Sequence, residues 1–134
     1  APGSVRRPAP GTRVLLVEDV QSLRMSVERS LIELGFEVLS AANGKEALSI
    51  AREHHFDLLL TDVIMPGLTG PELARRLRMR RPDLPVVFMS GFAEEQVLGP
   101  DAGTCPFIGK PFTTQELSTV LGELVSKVRS PRPA

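Results

Sequence analysis

The sequence predicts an α/β domain: a doubly wound, five-stranded parallel sheet with helices on both faces. Three observations predict it. The runs Val14-Leu15-Leu16-Val17 and Leu58-Leu59-Leu60 contain no polar residue, as strands covered on both faces should. The stretches between such runs place apolar residues every three or four positions, the period of a helix. Strand and helix then alternate strictly, the pattern of parallel strands joined by crossover helices.

Each element has its own signal. After the first strand, Val20, Leu23, Val27, Leu31 and Leu34 trace a helical stripe that Gly35 closes as a C-terminal cap. Phe36-Glu37-Val38-Leu39 reads as a second strand with a polar residue in it. Asn43-Gly44 starts a helix that continues through Ala47, Leu48 and Ala51. Beyond the Leu58-Leu59-Leu60 strand, Pro71 suits the first turn of a third helix, where its missing N–H costs nothing, and Leu73 and Leu77 supply the stripe. Pro85-Val86-Val87-Phe88-Met89 is the fourth strand. Residues 94–98 leave room for only a short helix before Gly99-Pro100 interrupts it. Residues 105–108 read as the fifth strand, and Pro106 places it at a sheet edge, because a central strand needs that N–H. Leu117, Val120, Leu121, Leu124 and Val128 mark the final helix, with Thr113 or Thr114 as its N-cap.

Composition narrows the function. The 134 residues suit one domain with short tails. Residues 13–129 form the expected domain, 1–12 a proline-bearing linker or lead, and 130–134 a tail. The lead suggests a piece of a longer protein. Lys+Arg and Asp+Glu both total 16, which argues against a general nucleic-acid or membrane-surface binder. The single cysteine, Cys105, excludes an internal disulfide and a zinc cluster, and a reducing cytoplasm is the expected compartment. No apolar run reaches the roughly 18–20 residues of a membrane span.

In a doubly wound sheet, ligands bind beyond the carboxyl ends of the strands. Those ends carry Glu18-Asp19, Thr61-Asp62, Ser90-Gly91 and Gly109-Lys110-Pro111. Gathered on one rim, Glu18, Asp19 and Asp62 repel one another unless a cation sits among them. An all-oxygen site of this kind suits Mg²⁺. Lys110 adds positive charge and Ser90 a hydroxyl, so the set forms a pocket for a phosphoryl group. A carboxylate is a chemically competent acceptor, giving an aspartyl phosphate. Any one of these residues alone reads as a turn, cap or solvated side chain. Their joint occurrence at four strand ends is what points to chemistry.

The residues carrying that pattern match a known family. Val14-Leu15-Leu16-Val17-Glu18-Asp19, Leu59-Leu60-Thr61-Asp62-Val63-Ile64-Met65-Pro66-Gly67, Met89-Ser90-Gly91 and Lys110-Pro111-Phe112 appear in order. The chain resembles the receiver domain of response regulators in two-component signalling, of the chemotaxis-regulator type, from about Arg13 to Lys127. The resemblance implies a flavodoxin-like strand order, 2-1-3-4-5. It implies Asp62 as the phosphorylated residue, and Glu18 and Asp19 as the Mg²⁺-binding pair, with Asp19 the direct ligand ahead of Glu18. It further implies the Ile64 carbonyl as a metal ligand, Lys110 as the contact to phosphoryl oxygens, Ser90 as the switch hydroxyl and Phe107 as the switch aromatic. The phosphodonor would be a histidine kinase or a histidine phosphotransfer domain, and water would later hydrolyse the acyl phosphate.

Some features depart from the pattern or remain open. The short segment 94–98 puts in doubt output through the fourth helix. Ile64 and Phe92, each two residues beyond a site residue, are apolar and cannot orient water, so slow self-dephosphorylation is expected. The proline-bearing lead, the lack of a helix-turn-helix after Lys127, and the runs 65–73 and 90–92 lean toward the receiver of a hybrid histidine kinase over a stand-alone regulator. A Mg²⁺-dependent phosphatase would carry a second aspartate where Ile64 stands. A non-phosphorylated binding module would have no need of the complete acidic set. Arg75, Arg76, Arg78, Arg80 and Arg81 read as a solvated helical face, with a docking patch the sharper alternative. His54 and His55 read as surface residues, since neighbours on a helix do not share a face.

Overall fold

The computed structural model describes residues 11–91 and 106–128, the last four in backbone only. Five strands and four helices lie in this part of the chain. They are β1 (Arg13–Val17), α1 (Gln21–Glu33), β2 (Glu37–Ala41), α2 (Gly44–Glu53), β3 (Leu58–Asp62), α3 (Gly70–Arg78), β4 (Val86–Ser90), β5 (Phe107–Gly109) and α4 (Thr114–Val128). All strand pairs are parallel, in the order β2-β1-β3-β4-β5. The expected short helix at 94–98, together with Phe92, Cys105 and residues 1–10 and 129–134, falls outside the described residues.

The two-sided strands explain the layers. In β1, β3 and β4 alternate residues feed opposite cores. Leu15, Val17, Leu59, Val86 and Phe88 pack with Ala47 of α2 and with Leu73 and Leu77 of α3. Val14, Leu16, Leu60, Val87 and Met89 pack with Val27 and Leu31 of α1 and with Leu117 and Leu121 of α4. Each fully buried leucine contributes roughly 1.5–3 kcal/mol of transfer free energy. Polar substitution in the central strands therefore disturbs one core or the other.

Local signals fix where elements begin and end. Asn43 caps α2 by accepting from the Glu46 N–H at 2.8 Å. Gly35 follows α1 with φ 99°, a left-handed conformation that costs glycine least. Thr113 is the cap of α4: its hydroxyl accepts from the Glu116 N–H, and its own N–H donates to the Glu116 carboxylate. Several boundaries differ from expectation, among them that of β4, which begins at Val86 and not at Pro85. Val20 is the N-cap of α1 and half exposed, so it lies off the buried stripe. Strand β2 starts at Glu37, with Phe36 buried just before it. Strand β5 starts at Phe107, and Pro106 only lends its carbonyl to the Phe88 N–H. As expected, β5 is an edge strand.

Candidate functional site

The parallel order brings the carboxyl ends of β1, β3, β4 and β5 to one rim, and backbone bonds hold them level. The Glu18 N–H donates to Ala41, the Val63 N–H to Met89 and the Lys110 N–H to Ser90, at 3.1, 3.1 and 2.8 Å. Carboxylate oxygens of Glu18, Asp19 and Asp62 consequently lie within 4.8 Å of one another. Glu18 and Asp62 are buried, whereas Asp19 is exposed at the mouth.

Lys110 completes the inner layer. Its ammonium donates to Glu18 Oε1 at 2.9 Å and also meets Asp62 Oδ1. That ion pair is what holds Asp62 Oδ1, a buried oxygen with no other protein partner among the described residues. Glu18 differs, because its other oxygen accepts from the Val20 N–H at 3.1 Å. Both Glu18 oxygens are thus engaged within the protein. Ser90 Oγ is buried and has no hydrogen-bond partner. Natural interiors leave few such atoms unsatisfied, and one at this rim, beside a carboxylate oxygen held only by an ion pair, marks a place for another group.

The electrostatics follow from this layout. Burial raises the Asp62 carboxyl to about 7, with Glu18 adding to the rise and Lys110 opposing it. For Glu18, burial also pushes upward. The Val20 N–H, Lys110 and Asp62 outweigh it, and the carboxyl ends below its ordinary value. Asp19 is raised by burial and by Glu18. Burial lowers Lys110, but Asp62 and Glu18 reverse the direction and keep it firmly charged. One ammonium therefore neutralises one carboxylate, and the remaining acidity calls for a further cation. The donor set is all oxygen, which suits Mg²⁺.

The remaining expected residues are Ile64, in the loop after β3, and Phe107, which pairs with Phe88 at the start of β5. Ile64, two residues past Asp62, is about half exposed. Phe107 is 36% exposed, on the face of β5 opposite the buried Ile108. The Lys110–Pro111 peptide is cis.

Two supporting residues escaped the sequence reading. Arg24 of α1 reaches back and donates to the Glu18 carbonyl at 2.8 Å, bracing the acidic turn. Gly70 packs its α-carbon against the Asp62 backbone, where a Cβ would collide with the Asp62 carbonyl. Its N–H donates to Val63 O at 2.8 Å. The start of α3 was more legible than supposed, because Thr69-Gly70-Pro71-Glu72 forms a capping box, a signature readable from the sequence.

A parallel sheet of this order with a lysine-bridged acidic rim defines a class of phosphoryl-handling α/β domains. The comparisons narrow the class. Residues 14–122 match the family model of the response regulator receiver domain, and the chain belongs to that family. It is 40% identical over 118 residues to the sensor kinase CckA of Brucella abortus, covering 85% of this chain and 12% of the kinase. It is 38% identical over 107 residues to the response regulator MprA of Mycolicibacterium vanbaalenii, covering 78% of this chain and 46% of the regulator. Among solved structures, a receiver-domain protein of Clostridium thermocellum superposes with a TM-score of 0.80 at 25% identity, covering 88% of this chain and 97% of the other. The regulator TrrA of Thermotoga maritima, solved with Mg²⁺ and BeF, gives 0.76 at 27% identity, covering 84% and 98%. The chain is a receiver domain of two-component signalling. It spans about half or less of the full-length relatives named here.

Proposed function

We propose that Asp62 is the phosphoacceptor of this receiver domain, and that it takes its phosphoryl group from a phosphohistidine on a histidine kinase or phosphotransfer protein. The observation that carries this reading is the buried Asp62 carboxylate paired with Lys110, with the unpartnered Ser90 Oγ at the same rim. An Asp62 oxygen attacks phosphorus in line. The phosphorus–nitrogen bond breaks, and the imidazole leaves with its electron pair. Lys110 balances the charge gathering on the phosphoryl oxygens, and Ser90 donates its hydroxyl to one of them.

The donor set fits Mg²⁺. Asp19 and Asp62, with the Ile64 backbone carbonyl, would hold it, and Glu18 stays in its bonds to Lys110 and Val20. The ion would supply charge neutralisation between carboxylate and phosphoryl group. Exposed Val20 and Ile64 stand beside the acidic residues in sequence, and they offer apolar contact to the protein carrying the donor. On the switch side, bonding of Ser90 to a phosphoryl oxygen biases Phe107 from its exposed position toward the interior. Residues 13–129 act as one unit in this reading. The relation to a sensor kinase favours a hybrid-kinase setting over a stand-alone regulator.

Incubation with Mg²⁺ and a small phosphodonor, followed by intact-mass measurement, tests the assignment. One phosphoryl mass should appear and should be absent in Asp62→Asn. Persistence of the modification in that variant would place the acceptor elsewhere.

A further inference from the structure

Helices α2 and α3 run antiparallel to the strands, so their C-terminal ends lie at the pole opposite the acidic rim. A groove of about 440 Å³ opens between them. Leu48, Ala51, Phe56 and Leu77 form its apolar lining, and Met79 stands at 83% exposure. Arg52, Arg76, Arg80 and Arg81 complete the lining, and no acidic residue among the described ones belongs to it.

Some of this arginine content is structural. Arg78 donates to the Leu84 carbonyl. Arg81 donates to the Phe56 carbonyl, with its guanidinium 5.3 Å from the centre of the Phe56 ring. Cations near helix C-termini are also mildly favourable, which accounts in part for Arg52 and Arg76. It does not account for Arg80, which lies beyond the helix, or for a methionine left almost wholly in water. In a chain with equal numbers of acidic and basic residues, solubility alone gives no reason to line one apolar groove with arginine only.

We propose that this groove docks an acidic amphipathic helix from a partner protein. Its apolar stripe would rest on Leu48, Ala51 and Leu77 under an adaptable Met79, and its carboxylates would meet Arg52, Arg76 and Arg80. Charge complementarity selects an acidic partner, and the apolar floor selects one with a hydrophobic face. A single-stranded nucleic acid would want exposed aromatic rings for stacking, and a duplex offers no apolar stripe for the floor of the groove. The one ring in the groove, Phe56, is buried. This inference is independent of the Asp62 chemistry, because the groove shares no residue with the acidic rim.

The full chain can be titrated against a fluorescein-labelled peptide of ~18 residues, about five helical turns. The peptide carries leucines at helical spacing on one face, with glutamates flanking them. Anisotropy reports affinity, and amide shifts in ¹⁵N spectra report location. The expected result is saturable binding with shifts confined to α2, α3 and residues 79–81. It should weaken about tenfold or more in the Arg76→Glu/Arg80→Glu variant and fall with added salt. Met79→Glu, a change at an exposed site, should weaken it similarly, and circular dichroism checks the fold of both variants. Phosphorylation by a small phosphodonor should be unchanged in each. No binding, equal binding of a scrambled peptide, or shifts mapping elsewhere overturns the proposal. So does tighter engagement of the same residues by a short DNA duplex or by phosphatidylserine vesicles.

Discussion

Gly70 touches the backbone of Asp62 so closely that even a methyl group on its α-carbon would occupy the space of the Asp62 carbonyl oxygen. That carbonyl also accepts from the Thr61 hydroxyl at 3.1 Å. The Asp62 backbone is thus packed closely against a residue with no side chain. Gly70→Ala should push the β3–α3 loop outward and cost about 1–3 kcal/mol, as overpacking does. A lowered thermal midpoint with slower labelling by a small phosphodonor is expected. An unchanged midpoint would show that the loop yields without penalty.

Asp62 should make the metal-free domain less stable as pH rises. Its carboxyl is raised from 3.8 to about 7 by burial, so the native state holds its proton where the unfolded chain has released it. Native stability therefore falls with pH between those two values and levels off above the upper one. Asp62→Asn removes the penalty. In chelator, the variant should match wild type near pH 4 and exceed it above pH 7, by on the order of 1–2 kcal/mol after allowance for solvent screening. Mg²⁺ should close the gap by stabilising wild type alone. Thermal melts across pH, with and without the ion, check both signs.

Lys110→Ala strands a buried carboxylate. Glu18 is fully buried and keeps only its bond to the Val20 N–H in that variant. Breaking a buried pair from one side typically costs about 3–5 kcal/mol. The Glu18 carboxyl is held below 4.5 in the intact domain, so its contribution is present above that value and fades as pH falls through its lowered one. The destabilisation by Lys110→Ala should therefore shrink in acid. Urea denaturation at pH 7 and pH 4 measures the difference.

Ser90→Ala should leave stability within about 0.5 kcal/mol of wild type or raise it slightly, because the hydroxyl it deletes is buried and unpartnered. Its effect belongs to switching. The chain contains no tryptophan, so Phe107→Trp introduces a single reporter. Its emission should shift to the blue when beryllofluoride and Mg²⁺ are added, and the shift should be lost when Ser90→Ala is combined with it.

Ile64 gives no polar group to a hydrolytic water, and phospho-Asp62 should be long-lived. Replacing Phe92 with Glu should hasten its loss, as should Ile64→Gln. A wild-type half-life of only seconds would count against this account.

Most of the fold was legible because its signals are local and redundant. An all-apolar Leu58-Leu59-Leu60 has few other homes than a central strand, and Asn43 and Gly35 mark helix ends through their own chemistry. The acidic rim was legible because topology alone gathers strand ends. Other features depended on three-dimensional proximity. Nothing in the sequence around Gly70 says whose backbone it meets. Arg24 looks like an ordinary helix-surface arginine until the Glu18 carbonyl is found within its reach. The ties of Glu18 also needed coordinates, since its bonds to Lys110 and the Val20 N–H are not legible in the sequence. Val20 misled because its spacing fits the stripe while its position as a cap turns it to solvent.

The bond between Lys110 and Glu18 joins residues 92 positions apart. A ribosome releases the glutamate long before the lysine, so a nascent chain carrying β1 to β4 holds its carboxylates with no ammonium among them. Contacts this remote in sequence form only after a large loop has closed. The lysine-bridged pocket accordingly cannot exist until β5 and the residue just beyond it have been made, when the chain has come full circle.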